Sequence, residues 1–152
     1  MFTTEHYLVF VDEAIDGMCA IVLELGDDLA NQRLETPGAN SPYVLLTHCL
    51  GVMEYWGGHA IGGRPFSRDR DAEFVASGPV ADLVARARSA QQQLRADLAD
   101  FDPNAKPRGT TPPDDADHPL TWTQMGLALH IYEELAQHRG QMEITRDVLL
   151  AR

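Results

Sequence analysis

The stretch HIYEELAQHRGQMEITRD, residues 130–147, decides how the whole chain is read. His130, Glu134 and His138 stand four residues apart. At about 100° per residue they drift only about 80° around a helix, so all three share one face. Leu127, Ile131, Leu135 and Met142 fall on or beside that face, while Arg139, Glu143 and Asp147 project to the other side. The apolar stripe of this helix therefore carries two imidazoles and a carboxylate into the protein interior. A carboxylate there is costly unless something positive meets it.

Working outward, this helix spans from about Thr121 or Thr123 to Leu150. Ahead of it, residues 101–119 are rich in proline and aspartate and form a long loop, of the kind that is functional or mobile in a small domain. Within that loop, Asp114-Asp115-Ala116-Asp117-His118 reads as a solvated connector rather than a second metal site. A third helix is expected from Ser77-Gly78-Pro79 to about Asp100, with Val80, Leu83, Val84, Ala87, Leu94 and Leu98 inward and Gln91, Gln92, Arg95 and Asp97 solvated. The second helix opens at Ser41-Pro42, a cap followed by proline at the first helical position, and ends at Gly62-Gly63. Its core, YVLLTHCLGVMEYWGGHA, is apolar nearly all round and belongs deep in the protein. A polar loop, RPFSRDRDAEF, follows it. The first helix runs from about Glu5 to Leu25, with Leu8, Val11, Ile15, Met18, Cys19 and Val22 as its buried stripe and Gly26 as its end. No stretch alternates with period two. The expected fold is all-α, a four-helix up-down bundle forming a single domain over residues 1–152.

Charge and composition narrow the function. The net charge is −11 with no basic cluster to interrupt it, which disfavours nucleic-acid partners. No apolar run approaches the roughly 18 residues of a membrane span. The first residues, MFTTEHYLVFVDEAIDG, lack a basic region and carry Glu5, Asp12 and Glu13, unlike a signal peptide, so a cytoplasmic location is expected. Cys19 and Cys49 fall inside helices and fit free buried thiols. Apolar helical faces leave a homodimer open.

A helical Glu-x-x-x-His pair such as Glu134 and His138 can present two ligands to one metal ion. The third ligand has to come from another helix, and His48, on the stripe of Val44, Leu45, Val52 and Tyr55, is the best placed. Two imidazoles and one carboxylate leave a coordination position open, as in catalytic sites. Zinc fits this set, and ligand type alone also admits nickel, iron or manganese. The neighbours carry two readings each. His130 is either a hydrogen-bond partner of the Glu134 carboxylate or a polar residue lining the interior. Gln141 can orient His138 or a water. Tyr55 and Trp56 read first as core packing and second as a ligand wall, and His59 sits in a glycine-rich setting that leaves its direction open. Gly140, costly inside a helix, suggests the close approach of a neighbouring helix.

The run His138-Arg139-Gly140-Gln141, with Asp147 after Arg146, resembles the last helix of the DinB-like superfamily. HIYEELAQHRGQMEITRD is particularly similar to the branch of mycothiol-dependent transferases and the metal-binding part of mycothiol-dependent maleylpyruvate isomerase. YVLLTHCLGVMEYW resembles the second helix of that branch, and RDRDAEFVASGPVADLVARARSAQQQLRADLADFD is more loosely similar. The resemblance implies a DinB-like bundle whose ligands match His48, Glu134 and His138. Many superfamily members carry histidine where this chain has Glu134, whereas the isomerase branch shares the glutamate. The activity implied is that of a metal-dependent thiol S-transferase or isomerase. The metal activates a low-molecular-weight thiol, mycothiol or bacillithiol, toward an electrophile. Lys106 is the only lysine among the basic residues, an arginine usage typical of GC-rich bacterial genomes, and this favours mycothiol. The alternatives are a non-catalytic DinB-like metal-binding stress-response module and a metal-dependent hydrolase.

Overall fold

The structure, a computed structural model, describes residues 3–110 and 123–151, and those residues are helical or irregular with no strand among them. Among the described residues the α-helices are α1 (Thr4–Ala30), α2 (Pro42–Val52), α3 (Arg70–Glu73), α4 (Val80–Asp97) and α5 (Gln124–Leu150), and a π-helical segment, Met53–Ile61, prolongs α2. The acidic run 114–118 and the alternative helix start at Thr121 lie outside the described residues.

The helix ends follow from local chemistry. Thr3 caps α1 by accepting a hydrogen bond from the His6 N–H, while His6 Nδ1 accepts one from the Thr3 N–H at 3.1 Å. Ser41 caps α2 through the Val44 N–H, with Pro42 in the first turn, and Thr123 caps α5 through the Gly126 N–H. Gly26 adopts φ 66°, and instead of ending α1 it kinks it, so that one further turn reaches Ala30. That turn aims Asp27 at α4. Pro79, the residue ahead of α4, has no side chain able to cap, and Asp27 Oδ1 accepts from the Val80 N–H at 2.8 Å in its place.

The second helix departs from the expected continuous α-helix at Met53, where the wider π-helical turns begin. Gly57 and Gly58 lie there. A Cβ at Gly57 would run into the Leu94 side chain of α4, and one at Gly58 would run into Arg64. Inside α2 every residue from Val44 to Val52 is buried, as its all-round apolar composition requires. The core is shared among the long elements. α1 packs on α5, α4 and α2, while α2 and its π-helical extension pack on α5 and α4. Both cysteines are buried and unbridged within that core.

Two residues expected in solvent are turned inward. Gln91 is buried and donates to the carboxylates of Asp12 and Asp16 on α1 at 2.9 and 3.1 Å. The Asp97 side chain accepts from Arg64 at 2.8 and 3.0 Å and from Gln93 at 3.0 Å. Polar groups enter a helix interface cheaply when each finds a partner, and here the partners come from α1 and from the loop after the π-helical segment. Gly140 is also corrected. A Cβ there would meet nothing within 4 Å, so no helix closes on it.

Candidate metal centre

His48 sits mid-way along α2 and is only 4% exposed. Glu134 and His138, one turn apart on α5, face it. His48 Nε2 and His138 Nε2 each stand 3.4 Å from Glu134 Oε2, and the two imidazole rings meet edge to face with centroids 5.1 Å apart. One ligand atom from each of the three residues lies within 4.8 Å of the others.

The outward nitrogen of each imidazole is engaged. His48 Nδ1 is 2.9 Å from Glu73 Oε2, and His138 Nδ1 is 3.0 Å from Gln141 Oε1. Both partners are acceptors, so each Nδ1 carries a hydrogen, and each Nε2 faces the Glu134 carboxylate with a lone pair when its ring is neutral and with a second hydrogen when the ring is protonated. Lone pairs converging on an anion demand a positive charge between them, either a shared proton or a cation. The electrostatics express the same demand. Hydrogen bonds from His138, and after it from His48, hold the Glu134 carboxyl well below the ordinary carboxylate range, against the opposing effect of burial. Glu134 in turn pushes the His138 imidazole up.

The donor set fits a small divalent ion. Two donors each about 2.1 Å from one tetrahedral ion lie about 3.4 Å apart, and both histidines keep 3.4 Å from Glu134 Oε2. Two imidazoles, a carboxylate and partners behind both rings suit zinc and its first-row neighbours.

The other residues singled out in the sequence are distributed around this trio. Gln141 backs His138. His130 pairs with Glu133 at 3.7 Å rather than with Glu134, and stacks edge-on against Trp56 at 5.3 Å. Its charge still helps to lower the Glu134 pKa. Trp56 is buried and meets Tyr55 edge to face, while the Tyr55 hydroxyl donates to the Thr110 carbonyl at 3.2 Å. His59 is not brought to the trio. Its Nδ1 lies 2.8 Å from the Arg64 carbonyl and its Nε2 3.1 Å from the Thr110 hydroxyl, so it ties two loops together. Arg139, on the other side of α5, pairs with Glu143 on its own helix at 3.1 Å and donates to the Glu13 carbonyl of α1 at 3.0 Å.

Glu73 and Arg68 went unnoticed in the sequence because both lie in what reads as a polar loop. Asp69 caps a single helical turn there by accepting from the Ala72 N–H, and four residues are too few to show a period. The one visible signal was Gly51. A glycine inside an apolar helix marks a close approach, and a Cβ at Gly51 would lie 2.7 Å from Glu73 Cδ and closer still to Oε1.

Residues 7–150 match the family model described as mycothiol-S-transferase. The chain belongs to that family. The matched span contains all three members of the trio and both of the residues behind its imidazoles. No curated protein matches the sequence. Family membership brings a thiol substrate, and the neighbouring Cys49 is unsuited to supply the reacting sulfur. Burial foremost, then the charges of Glu134 and Glu73, pushes the Cys49 thiol well above its ordinary value.

Proposed function

We propose that this member of the mycothiol S-transferase family is a metal-dependent thiol S-transferase. His48, Glu134 and His138 hold a divalent ion, zinc foremost, and mycothiol is the thiol. One observation carries this reading, the convergence of two imidazole nitrogens on one carboxylate oxygen at the separation that a tetrahedral ion requires. When bound, the ion supplies Lewis acidity that lowers the pKa of a coordinated thiol. The chain's own residues do the rest. Glu134 offsets one of the two positive charges, the imidazoles contribute neutral donors, and α2 supplies apolar walls. In the transfer itself the thiol sulfur forms a bond to an electrophilic carbon, the leaving group departs with its electron pair, and the thiol proton passes to solvent.

Three protein donors leave a coordination position for the thiol. A sealed site would need a fourth ligand, and a hydrolase would need a general base. His130 and His59 are the side chains suggested for either role. His130 is turned to Glu133, and His59 to Arg64 and Thr110, which favours the transferase over both the stress-response module and the hydrolase. In this reading α1, α2 with its extension, α4 and α5 form the up-down bundle of DinB-like proteins, with α3 as an insertion. Among the described residues no helix is long and apolar enough to cross a membrane, and the reading places the protein in the cytoplasm with its reduced thiol.

The test has two stages. Elemental analysis of the purified protein should find close to one equivalent of metal, and His48→Ala and His138→Ala should remove it. The loaded protein should then accelerate consumption of mycothiol by a simple electrophile such as chlorodinitrobenzene. Metal in the wild type without any acceleration, across several electrophiles and with bacillithiol as well, would favour the non-catalytic module.

A further inference from the structure

The short helix α3 buries one side chain, Glu73, while Arg70, Asp71 and Ala72 are exposed. That side chain ends on the outward nitrogen of His48. We infer that Glu73, clamped by Arg68 and seated against Gly51, is the positioning residue that makes His48 the dominant metal ligand. The inference rests on the metal reading above and extends it to residues that take no part in coordination.

Three observations converge. The Glu73 carboxylate is gripped at both oxygens by Arg68, with Nε to Oε1 at 2.6 Å and Nη2 to Oε2 at 2.8 Å. A bidentate clamp of this kind fixes the plane of the carboxylate. Arg68 Nη2 also lies 3.3 Å from His48 Nδ1. Nδ1 cannot accept from Arg68 while donating to Glu73, and the nearer carboxylate takes the hydrogen, which leaves the Arg68 proton on Oε2. His48 is thereby held as the Nδ1–H tautomer with its Nε2 lone pair aimed at the site.

The second observation is Gly51, three residues beyond His48 on the same helix. Its missing Cβ is the space the Glu73 carboxylate fills. The third is Phe74, the residue after Glu73, whose ring packs against the His48 imidazole at 5.0 Å between centroids. One short segment thus orients the imidazole by hydrogen bond and by packing together. His138 is treated differently. A neutral amide backs it, from the exposed Gln141. An ionised carboxylate behind an imidazole makes its other nitrogen a stronger donor than an amide does. The two histidines are therefore unequal ligands, and His48 is the stronger.

The experiment measures zinc affinity by competition with a chromophoric chelator in wild type, Glu73→Gln, Gly51→Ala and Gln141→Ala. Circular dichroism verifies that each metal-free variant is folded, and 15N chemical shifts of the His48 ring report its tautomer. Glu73→Gln and Gly51→Ala should each weaken zinc binding by about 10- to 100-fold and allow His48 to populate the other tautomer. Gln141→Ala should cost less than either. Glu73→Gln keeps the size of the side chain, whereas Gly51→Ala keeps the carboxyl group but displaces it, so the two variants fail to fold for different reasons if they fail at all. Folded variants that bind zinc as tightly as wild type, with the His48 tautomer unchanged, overturn the positioning role alone. A wild type that takes up no zinc overturns the metal reading and this inference with it.

Discussion

Replacing Gly51 by alanine tests the packing behind His48 through the sign of a stability change. Alanine inside a helix is favoured over glycine by about 1 kcal/mol, so on local grounds the substitution stabilises. The structure argues the opposite. The new Cβ would lie 2.7 Å from Glu73 Cδ, inside the distance at which real Cβ atoms are found, so the carboxylate has to move. Three hydrogen bonds end on that carboxylate, two from Arg68 and one from His48. Losing even one, at about 1.5–3 kcal/mol for a bond to a charged group, outweighs the helical gain. The expected net is a loss of about 0.5–2 kcal/mol, which for a chain of this size lowers the melting temperature by about 1–8 °C. The assay is thermal unfolding of the metal-free protein followed by circular dichroism, with Glu73→Ala and the double variant beside it. With Glu73 removed the obstruction disappears, and Gly51→Ala should then stabilise by the full helical gain of about 1 kcal/mol. An increase in melting temperature for Gly51→Ala in the wild-type background refutes the reasoning, since it means that the carboxylate moves aside without cost.

Gly140→Ala should behave oppositely to Gly51→Ala. It meets open space, so it should raise the melting temperature by the few degrees that correspond to about 1 kcal/mol. The pH dependence of the metal-free protein follows from the Glu134 and His138 pair. The raised His138 contributes stability that is complete below its ordinary value of 6.5 and is lost as pH rises through its folded value. The lowered Glu134 contributes stability that is present above its ordinary value of 4.5 and is lost as pH falls through its folded value. Both contributions are complete between those two ordinary values, so urea midpoints should peak in that window and flatten in Glu134→Gln. Burial raises the pKa of both Cys19 and Cys49, and neither should react with a disulfide reagent at pH 8 until the chain is unfolded, when both should react at once. Fast labelling of either thiol in the native protein would contradict that.

Much of the architecture could be read along the chain because its causes are local. Ser41-Pro42 and Thr123 mark helix starts through a side chain that reaches a backbone N–H three residues on. The shared face of Glu134 and His138 is helical arithmetic, and the burial of His48 follows from the apolar helix that carries it. Where a partner comes from elsewhere in the chain, the local reading falters. Gln91 and Asp97 look solvated until α1 and Arg64 are brought to them. The π-helical turns at Met53 have no signature of their own, because Gly57 and Gly58 serve neighbours on other segments.

The sequence by itself determined the all-helical class, the positions of the long helices and the three side chains able to share a metal ion, since each depends on spacing within one helix or on the polarity of one segment. Only the tertiary structure decided what stands behind those side chains. Glu73 is 25 residues from His48 and reaches it through one capped turn. The two glycines at 51 and 140 look alike in sequence, yet one faces a carboxylate and the other open space. The physical reason is common to these cases. Helix formation and amphipathic burial are set by neighbours within a turn or two, whereas a hydrogen bond or a steric limit between distant segments exists only once packing has brought them together.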